Sequence, residues 1–442
     1  MQSRCPLVRI PGVLLALAVP SLAGAVQLDY MVEMGIEHND NVNLSENDPV
    51  SEDILEPMLG FAVSEDGSTV QANATGAVQY RDYLGGEFSD EFRGQLSGHL
   101  NWTMVPKRLN LTVEDYLTVE PVNPLAPDTP SNQQQTNVFG IGPTFGFRLG
   151  ETVRGQAELR YISSYADKTK QFNTDRGVGA LRAIKDLDPT SAVSGNLEVE
   201  EIDYTESQGA AAPDYNRYSL YGRYTRNWTK VDLTTDLGYS WLHFSGNTVE
   251  NQQDPLGRIN LDWRISPRST LNGSATYQYS DAASAMMVPP SEIGTTIPSN
   301  ITTGNATTTA QPYLERRFQF GYAWHGERLT FNIAPYYYQL DYVSGGASLI
   351  AGLDETGKGA AAGLSYILRP LLTTGLTATG ENLHYDSISR VDDSWTIAAF
   401  LRQQWTRNWS WRFELSHYER NSNAPGLSSD ENIAYFGIAY TR

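Results

Sequence analysis

Hydrophobic and polar residues alternate with a period of two along most of the chain after residue 25. In residues 231–241, apolar side chains at every second position are separated by polar or small ones. Residues 109–119 and 409–415 repeat the pattern. Strict alternation is typical of β-strands with one apolar and one polar face, as also found in soluble sandwiches. The alternation therefore predicts strands and leaves the kind of sheet open.

The lengths of the strands and of their connections narrow the fold. Many predicted strands run over about 12 to 16 residues, against about five or six in an average globular sheet. Short turns are predicted at Glu65-Asp66-Gly67-Ser68, Val105-Pro106-Lys107, Leu149-Gly150-Glu151, Asp188-Pro189, Asn227-Trp228, Ser266-Pro267, His325-Gly326, Arg369-Pro370 and Arg407-Asn408. Longer polar connections lie near residues 39–52, 121–134, 206–213, 246–253, 282–310, 344–356 and 421–429. Short periplasmic turns that alternate with long extracellular loops predict an all-β, up-and-down transmembrane barrel of about 20 strands, within a range of 18–22.

Aromatic residues support a membrane location. They make up 11% of the chain, and no run of about 18 apolar residues follows residue 25 to form a transmembrane helix. Seven of the nine tryptophans lie close to a predicted short turn: Trp102, Trp228, Trp263, Trp324, Trp405, Trp409 and Trp411. Amphipathic rings favour a membrane interface, so we expect these residues to form an interfacial girdle.

The N-terminus has the features of a secretory signal peptide. Arg4 and Arg9 precede a short apolar stretch at residues 10–22, and Ala23-Gly24-Ala25 matches a cleavage site. We therefore expect residues 1–25 to be a signal peptide and residues 26–442 to be the barrel of a Sec-exported protein of the bacterial outer membrane. The only cysteine, Cys5, lies in the signal, which excludes disulfides and thiol catalysis from the rest.

Charge is unevenly distributed. Loss of Arg4 and Arg9 takes the net charge from −19 to −21, which argues against nucleic acid as a partner. Basic residues cluster near the short turns, whereas acidic residues dominate the long loops and strand tops. An acidic outer collar would favour cations at the mouth of a pore, but the same residues also suit simple solvation of strand ends.

Candidate catalytic and metal sites are weak. The six histidines lie in distant segments, and the sequence pairs none of them with a nucleophile: His38, His99, His243, His325, His384 and His417. Asp40, Glu46 and Asp48 could bind calcium, although an asparagine-rich turn explains them equally well. The glycine-rich segments 177–179 and 359–363 match no phosphate loop and are interpreted as bends that leave room in the lumen. We predict no enzyme activity, cofactor or metal.

The connection at residues 282–310 is the longest. It is rich in Ala, Ser, Thr and Pro, and Glu292 is its only charged residue. Loops of this length are usually functional or disordered. The sequence leaves open whether it folds into the lumen and narrows it or extends outward.

Several motifs of the N-terminal third point to a known family. They are Gly35-Ile36-Glu37-His38-Asn39-Asp40-Asn41-Val42, Leu55-Glu56-Pro57-Met58-Leu59-Gly60, Tyr80-Arg81-Asp82-Tyr83, Val113-Glu114-Asp115, Gly142-Pro143 and Arg148-Leu149-Gly150. Over the first 165 residues the chain resembles proteobacterial outer-membrane β-barrel porins associated with exopolysaccharide and exosortase systems. The resemblance implies passage or assembly of extracellular polysaccharide and no catalytic residues. The chain departs from the usual aromatic C-terminus, since it ends Tyr440-Thr441-Arg442.

The first functional hypothesis is a porin-like channel for polysaccharide or small solutes. Barrels of 16–18 strands already leave an aqueous channel, and selectivity would come from width and charge. The charged residues expected to line the path are Asp232, Asp236, Arg412, Glu414, Glu114 and Glu120. Expected partners are outer-membrane lipid and lipopolysaccharide, the barrel-assembly machinery and polysaccharide-export components.

Two alternatives belong to other functional classes. A non-transporting surface scaffold or receptor would bind a partner, cations or glycan through its acidic loops and would have a closed pore. An outer-membrane hydrolase would lose lipase or protease activity on substitution of His243 or His384 by alanine.

Overall fold

The computed structural model describes residues 26–205, 213–246, 249–288, 293, 296–301, 303–304, 308–309, 311–343 and 354–442. The predicted signal peptide at residues 1–25 lies outside the described residues, as do Glu292 and parts of the predicted loops at 206–213, 246–253, 282–310 and 344–356.

The described chain forms one closed sheet of 20 antiparallel strands, as the sequence predicts. The strands are β1 (Gln27–Asn39), β2 (Glu52–Asp66), β3 (Val70–Tyr83), β4 (Glu91–Val105), β5 (Leu109–Pro121), β6 (Gln133–Arg148), β7 (Val153–Ala166), β8 (Thr174–Asp188), β9 (Ser191–Tyr204), β10 (Tyr215–Asn227), β11 (Val231–Phe244), β12 (Gln252–Ser266), β13 (Ser269–Ser280), β14 (Tyr313–His325), β15 (Leu329–Tyr342), β16 (Glu355–Arg369), β17 (Leu372–Tyr385), β18 (Arg390–Gln404), β19 (Trp409–Ser422) and β20 (Ser429–Thr441). Each strand pairs with the next, and β20 pairs with β1 to close the barrel.

The connections divide the barrel into two ends. The nine predicted short turns join strand pairs at one end, called here the short-turn end, where β1 begins and β20 ends. The other connections lie at the opposite, long-loop end, and three of these, at 84–90, 167–173 and 386–389, are shorter than the loops predicted from sequence. The long connection after β13 contains a short helix, α1 (Ala282–Met286). Among the described residues, no helix is long and apolar enough to cross a membrane.

The outer face of the barrel is apolar. Leucines of neighbouring strands stand in register there, because Leu181 and Leu220 both pair with Leu197, and all three side chains are exposed. Leu237, at the centre of β11, is 66% exposed. Exposed apolar surface on this scale is stable in lipid and not in water, so the strands span a membrane.

The seven tryptophans of the predicted girdle lie at the short-turn end. Trp228 and Trp405 are in turns, and the other five are on the strand residues that adjoin turns. Trp409 packs edge-on against Tyr440, with ring centroids 5.3 Å apart. Tyr440 in turn lies 6.4 Å from Tyr30 across the seam where the barrel closes.

The glycine-rich segments lie on two different faces. Gly359 and Gly363 are on the inner face, as expected, and pair with Tyr336 and Asn332 of β15. The interpretation is wrong for Gly177, which pairs with the exposed, outward-facing Tyr161. The alternation of β8 explains this, since the neighbouring Arg176 is buried on the inner side.

Replacement of Leu237 by arginine tests the assignment of faces. A charge at the bilayer midplane costs about 2–4 kcal/mol on the lipid face of a barrel, so Leu237→Arg should lower the free energy of unfolding by that amount. The matched control is Thr234→Arg, which places the same charge on the inner face of β11 and should have little effect. Denaturant titration in phospholipid vesicles measures both, and equal losses would contradict the assignment.

Candidate functional site

The charged residues predicted to line the lumen all lie on the inner face, but they occur in pairs. Asp236 of β11 accepts from Arg223 on β10 at 2.7 Å and contacts Arg258 on β12 at 3.4 Å. Glu114 lies 3.3 Å from Arg160. Because opposite charges bridge neighbouring strands, these residues form part of the wall instead of an unpaired acidic path.

The remaining predicted residues follow the same rule, with one exception. Arg412 bonds to Glu33 across the closing seam at 3.0 Å and lies 3.8 Å from Glu414. Asp232 pairs with Arg264 at 3.0 Å near the short turns. Glu120 does not line an open path, because it is only 3% exposed and the backbone of the connection after β13 covers its carboxylate.

Where the structure describes it, the β13–β14 connection, residues 281–312, lies in the lumen. Its helix α1 buries Ala282, Ala283 and Met286 against inner-face residues of β6 and β7, among them Val138 and Ile162. This packing shields apolar inner-face side chains that would contact water if the lumen were an open aqueous channel. Of the two courses that the sequence left open, the described part of this connection takes the inward one and does not extend outward.

An ion pair anchors the start of this connection. Asp281 is buried and accepts from Arg176 of β8 at 2.8 Å, and its side chain also caps α1 by accepting from the Ser284 backbone N–H at 2.9 Å. Burial alone would raise the pKa of Asp281, but the Arg176 guanidinium and the helix cap hold it below the ordinary value of 3.8. A lowered pKa means that the ion pair is intact above pH 3.8 and is lost only under stronger acid.

The middle of the connection reaches the wall opposite its own strands. Ile301, with Ile297 beside it, packs into a cluster with Met31, Met58, Ala77, Val119 and Ala439, which belong to β1, β2, β3, β5 and β20. In the ring of 20 strands, β3 and β4 stand opposite β13 and β14. The connection therefore crosses the full width of the barrel.

Backbone and side-chain hydrogen bonds hold the crossing segment in place. Gly304 N–H donates to the carbonyl of Val119 at 2.7 Å, and the Tyr116 hydroxyl donates to the carbonyl of Val288 at 2.7 Å. Near the end of the connection, Gln134 donates to Thr308 at 3.0 Å. These contacts hold the crossing segment against β5 and β6.

A second loop crosses the lumen at the long-loop end. The β5–β6 loop, residues 122–132, reaches β17 and β18, where Tyr385 donates to the carbonyl of Pro124 at 3.3 Å and Arg390 to that of Leu125 at 2.6 Å. Within this loop, burial raises the pKa of Asp128, although hydrogen bonds from Gln133 and Thr303 work against the shift. Since Thr303 belongs to the β13–β14 connection, the two loops are joined to each other.

The lumen is more open towards the short turns. A cavity of about 530 Å³ lies against β4–β10 there, lined by polar residues that include His99, Gln156, Arg182, Asn196 and Arg223. A second cavity of about 950 Å³ lies near β17–β20, beside Arg402, Arg407 and Arg442. The lumen therefore narrows from the short-turn end to the long-loop end.

The candidate catalytic residues remain apart. His38 contacts Asp53 at 2.7 Å, His417 contacts Asn432 at 2.9 Å and His384 lies 3.7 Å from Asp386. Within the described part of the chain, no histidine hydrogen-bonds to a serine or threonine. The described residues thus place no histidine in hydrogen-bond contact with a hydroxyl nucleophile.

Side chains of the candidate calcium loop are hydrogen-bonded to the loop's own backbone and to a neighbouring strand. The Asn43 side chain bridges the carbonyl of Asp48 and the N–H of Val50, and Asp40 accepts from Asn432. No cluster of three or more potential metal ligands occurs in the described ranges. The turn interpretation therefore explains this loop better than a calcium site.

Comparisons with known proteins give only distant matches. No protein-family model and no curated protein matches the chain. The FrpB iron transporter from Neisseria meningitidis (F5-1 variant) is 10% identical over 94% of this chain and 82% of that chain, with a TM-score of 0.44. OccAB4 from Acinetobacter baumannii is 10% identical over 94% of this chain and 98% of that chain, with a TM-score of 0.37. At TM-scores below 0.5 these likenesses carry no argument about function.

Loss of the Asp281 charge should release the crossing connection. Asp281→Asn keeps the helix cap but removes the carboxylate nearest to Arg176, whose other acidic neighbour, Glu200, lies at 3.6 Å. Breaking a buried ion pair costs about 3–5 kcal/mol. In an Ala283→Cys background, whose thiol is buried under α1, we expect maleimide labelling to become at least about tenfold faster. Asp262→Asn, at an exposed inner-face position, is the control. Equal labelling rates in both variants would contradict the role of the Asp281–Arg176 pair in holding the connection.

Proposed function

We propose that the protein is an outer-membrane channel for hydrophilic solutes, narrowed at one end by its own loops. The observation that carries the proposal is the shape of the lumen. The β13–β14 connection and the β5–β6 loop cross it at the long-loop end, whereas polar cavities occupy the short-turn end. Inward loops of this kind set the width through which a solute passes.

The proposed orientation of the barrel in the membrane follows from the difference between its two ends. Outer-membrane barrels place short turns in the periplasm and long loops outside. The basic, tryptophan-rich short turns would then face the periplasm, and the constriction would face the exterior. Contacts with outer-membrane lipid, lipopolysaccharide and the barrel-assembly machinery belong to this proposal.

Polysaccharide is the proposed solute on the ground of the N-terminal resemblance. An extended glycan strand is narrow relative to a barrel of 20 strands, so it could pass without full removal of the loops. Small hydrophilic solutes satisfy the same geometry. Partnership with polysaccharide-export components is proposed on the same resemblance.

Removal of the crossing connection tests the channel directly. Replacement of residues 282–310 by a short Gly-Ser linker should raise the single-channel conductance in planar bilayers several-fold, because the narrowest part of the lumen is widened. The control is a shortened β19–β20 loop lacking residues 424–427, in a loop whose hydrogen bonds are local to its own end of the barrel. Its conductance should match that of the unaltered protein.

The opposite outcome would favour another class of protein. If neither the unaltered protein nor the deletion variant conducts after correct folding, the channel proposal fails and a scaffold or receptor that binds through its loops is favoured. Lipase or protease activity that disappears in His243→Ala would favour a hydrolase.

A further inference from the structure

Among the described residues, the two loops cover only part of the inner wall. On β1–β8, many inner-face residues towards the long-loop end are buried, as Glu56, Ala77 and Val138 show. On β12–β17, inner-face residues at mid-height are exposed: Asn260, Asn272, Gln319, Asn332, Ala334, Thr377 and Thr379. The free part of the lumen is therefore off-centre and follows these later strands.

This exposed part of the wall has an unusual composition. From Arg317 towards the short-turn end, the inner faces of β13, β14 and β15 carry Tyr336 beside Gln319 and otherwise only asparagine, glutamine, threonine, serine, alanine and glycine, with His325 at the short turn. On β16 and β17, the inner faces between Gly359 and the short turns likewise carry no charged side chain. We call this surface the neutral sector, since elsewhere the wall is crossed by arginine–carboxylate pairs such as Arg223–Asp236.

Aromatic rings border the neutral sector towards the long-loop end and towards the short-turn end. The Tyr336 ring lies across Gly359, where an added Cβ would meet its hydroxyl oxygen at 2.7 Å, and the hydroxyl donates to Glu381 at 3.0 Å. Near the short turns, the Phe400 ring lies across Gly375, where an added Cβ would meet Cε1 at 2.5 Å. Glycine at both positions lets a ring lie against the wall and leaves the lumen beside it free.

The chemistry of this surface selects a class of solute. Amide and hydroxyl side chains both donate and accept hydrogen bonds, so they can exchange partners with the hydroxyl groups of a passing molecule. Aromatic faces offer apolar area to the C–H faces of a sugar ring. A lining without fixed charge neither attracts counter-ions nor holds a charged solute. Elsewhere on the wall, charged groups such as Arg223 and Asp236 are engaged with one another.

We propose that the neutral sector is the conducting path and that it takes uncharged, hydroxyl-rich solutes, namely neutral oligosaccharides or glycan chains. The proposal rests on the proposed channel function and deepens it by naming both the route and the chemical class. The acidic loops then determine only the approach to the mouth, and the discrimination lies along β13–β17.

Single cysteines test the route, because residues 26–442 contain none. Asn332→Cys and Thr377→Cys place a thiol in the neutral sector, and Val138→Cys places one under α1, where the native side chain is fully buried. After reaction with a maleimide-linked polyethylene glycol, both neutral-sector variants should lose most of their flux of raffinose into proteoliposomes. The Val138→Cys variant should stay unlabelled and keep its flux.

Solute charge provides the second measurement. We expect raffinose to enter liposomes containing the unaltered protein at least about fivefold faster than a galacturonic acid trisaccharide of similar size. The isosteric variant Asn332→Asp should slow the charged trisaccharide further, because it adds a like charge to the path.

The outcomes separate this inference from the channel proposal. If the protein conducts ions but labelling of Asn332→Cys and Thr377→Cys leaves raffinose flux unchanged, the route is wrong and the channel stands. Equal or faster entry of the charged trisaccharide would overturn the solute class. Absence of all flux and conductance, with residues 282–310 present or removed, would overturn the channel itself.

Discussion

The structure depends on one constraint, that every backbone N–H and C=O within hydrocarbon must be hydrogen-bonded. Strands meet this demand only when the sheet closes on itself, which here requires the first and last strands to pair. Polar and ionic contacts reinforce that seam from the inside, where Arg412 of β19 reaches Glu33 of β1. Closure of 20 strands also produces a lumen too wide for the wall's own side chains to fill.

The β13–β14 connection fills part of that lumen. Apolar residues of the β13–β14 connection, such as Ile301 and Met286, cover apolar inner-face residues that would otherwise contact water. The buried ion pair Asp281–Arg176 fixes where this connection enters. Because the covered wall and the exposed wall carry different side chains, filling one side also determines which surface a solute meets on the other.

Much of the fold was predictable from sequence, because the signals for strands and turns depend only on residues close together in the chain. The alternation around Asp236 requires only neighbours in one strand, and a turn such as Ser266-Pro267 requires only its own residues, so both are readable without long-range information. The count of 20 strands follows from these local signals and is confirmed. The outward placement of Gly177 was missed, because a glycine has no side chain to reveal its face.

The course of the β13–β14 connection was not predictable in the same way. Its contacts join Ile301 to Met31, residues far apart in sequence, and Glu120 became buried through a segment that begins well over a hundred residues later. One signal was present, since Met31, Met58 and Val138 are apolar residues at inner-face positions of a wall expected to be polar. Such residues indicate that another part of the chain covers them.

The most direct test of a lumen narrowed at one end is polymer exclusion measured from both sides of a planar bilayer. Neutral polyethylene glycols of increasing size are added to one compartment at a time, and the fall in single-channel conductance reports which sizes enter. The structure predicts that polymers added at the short-turn side enter up to a clearly larger size than those added at the long-loop side. Equal size limits from the two sides would contradict the account.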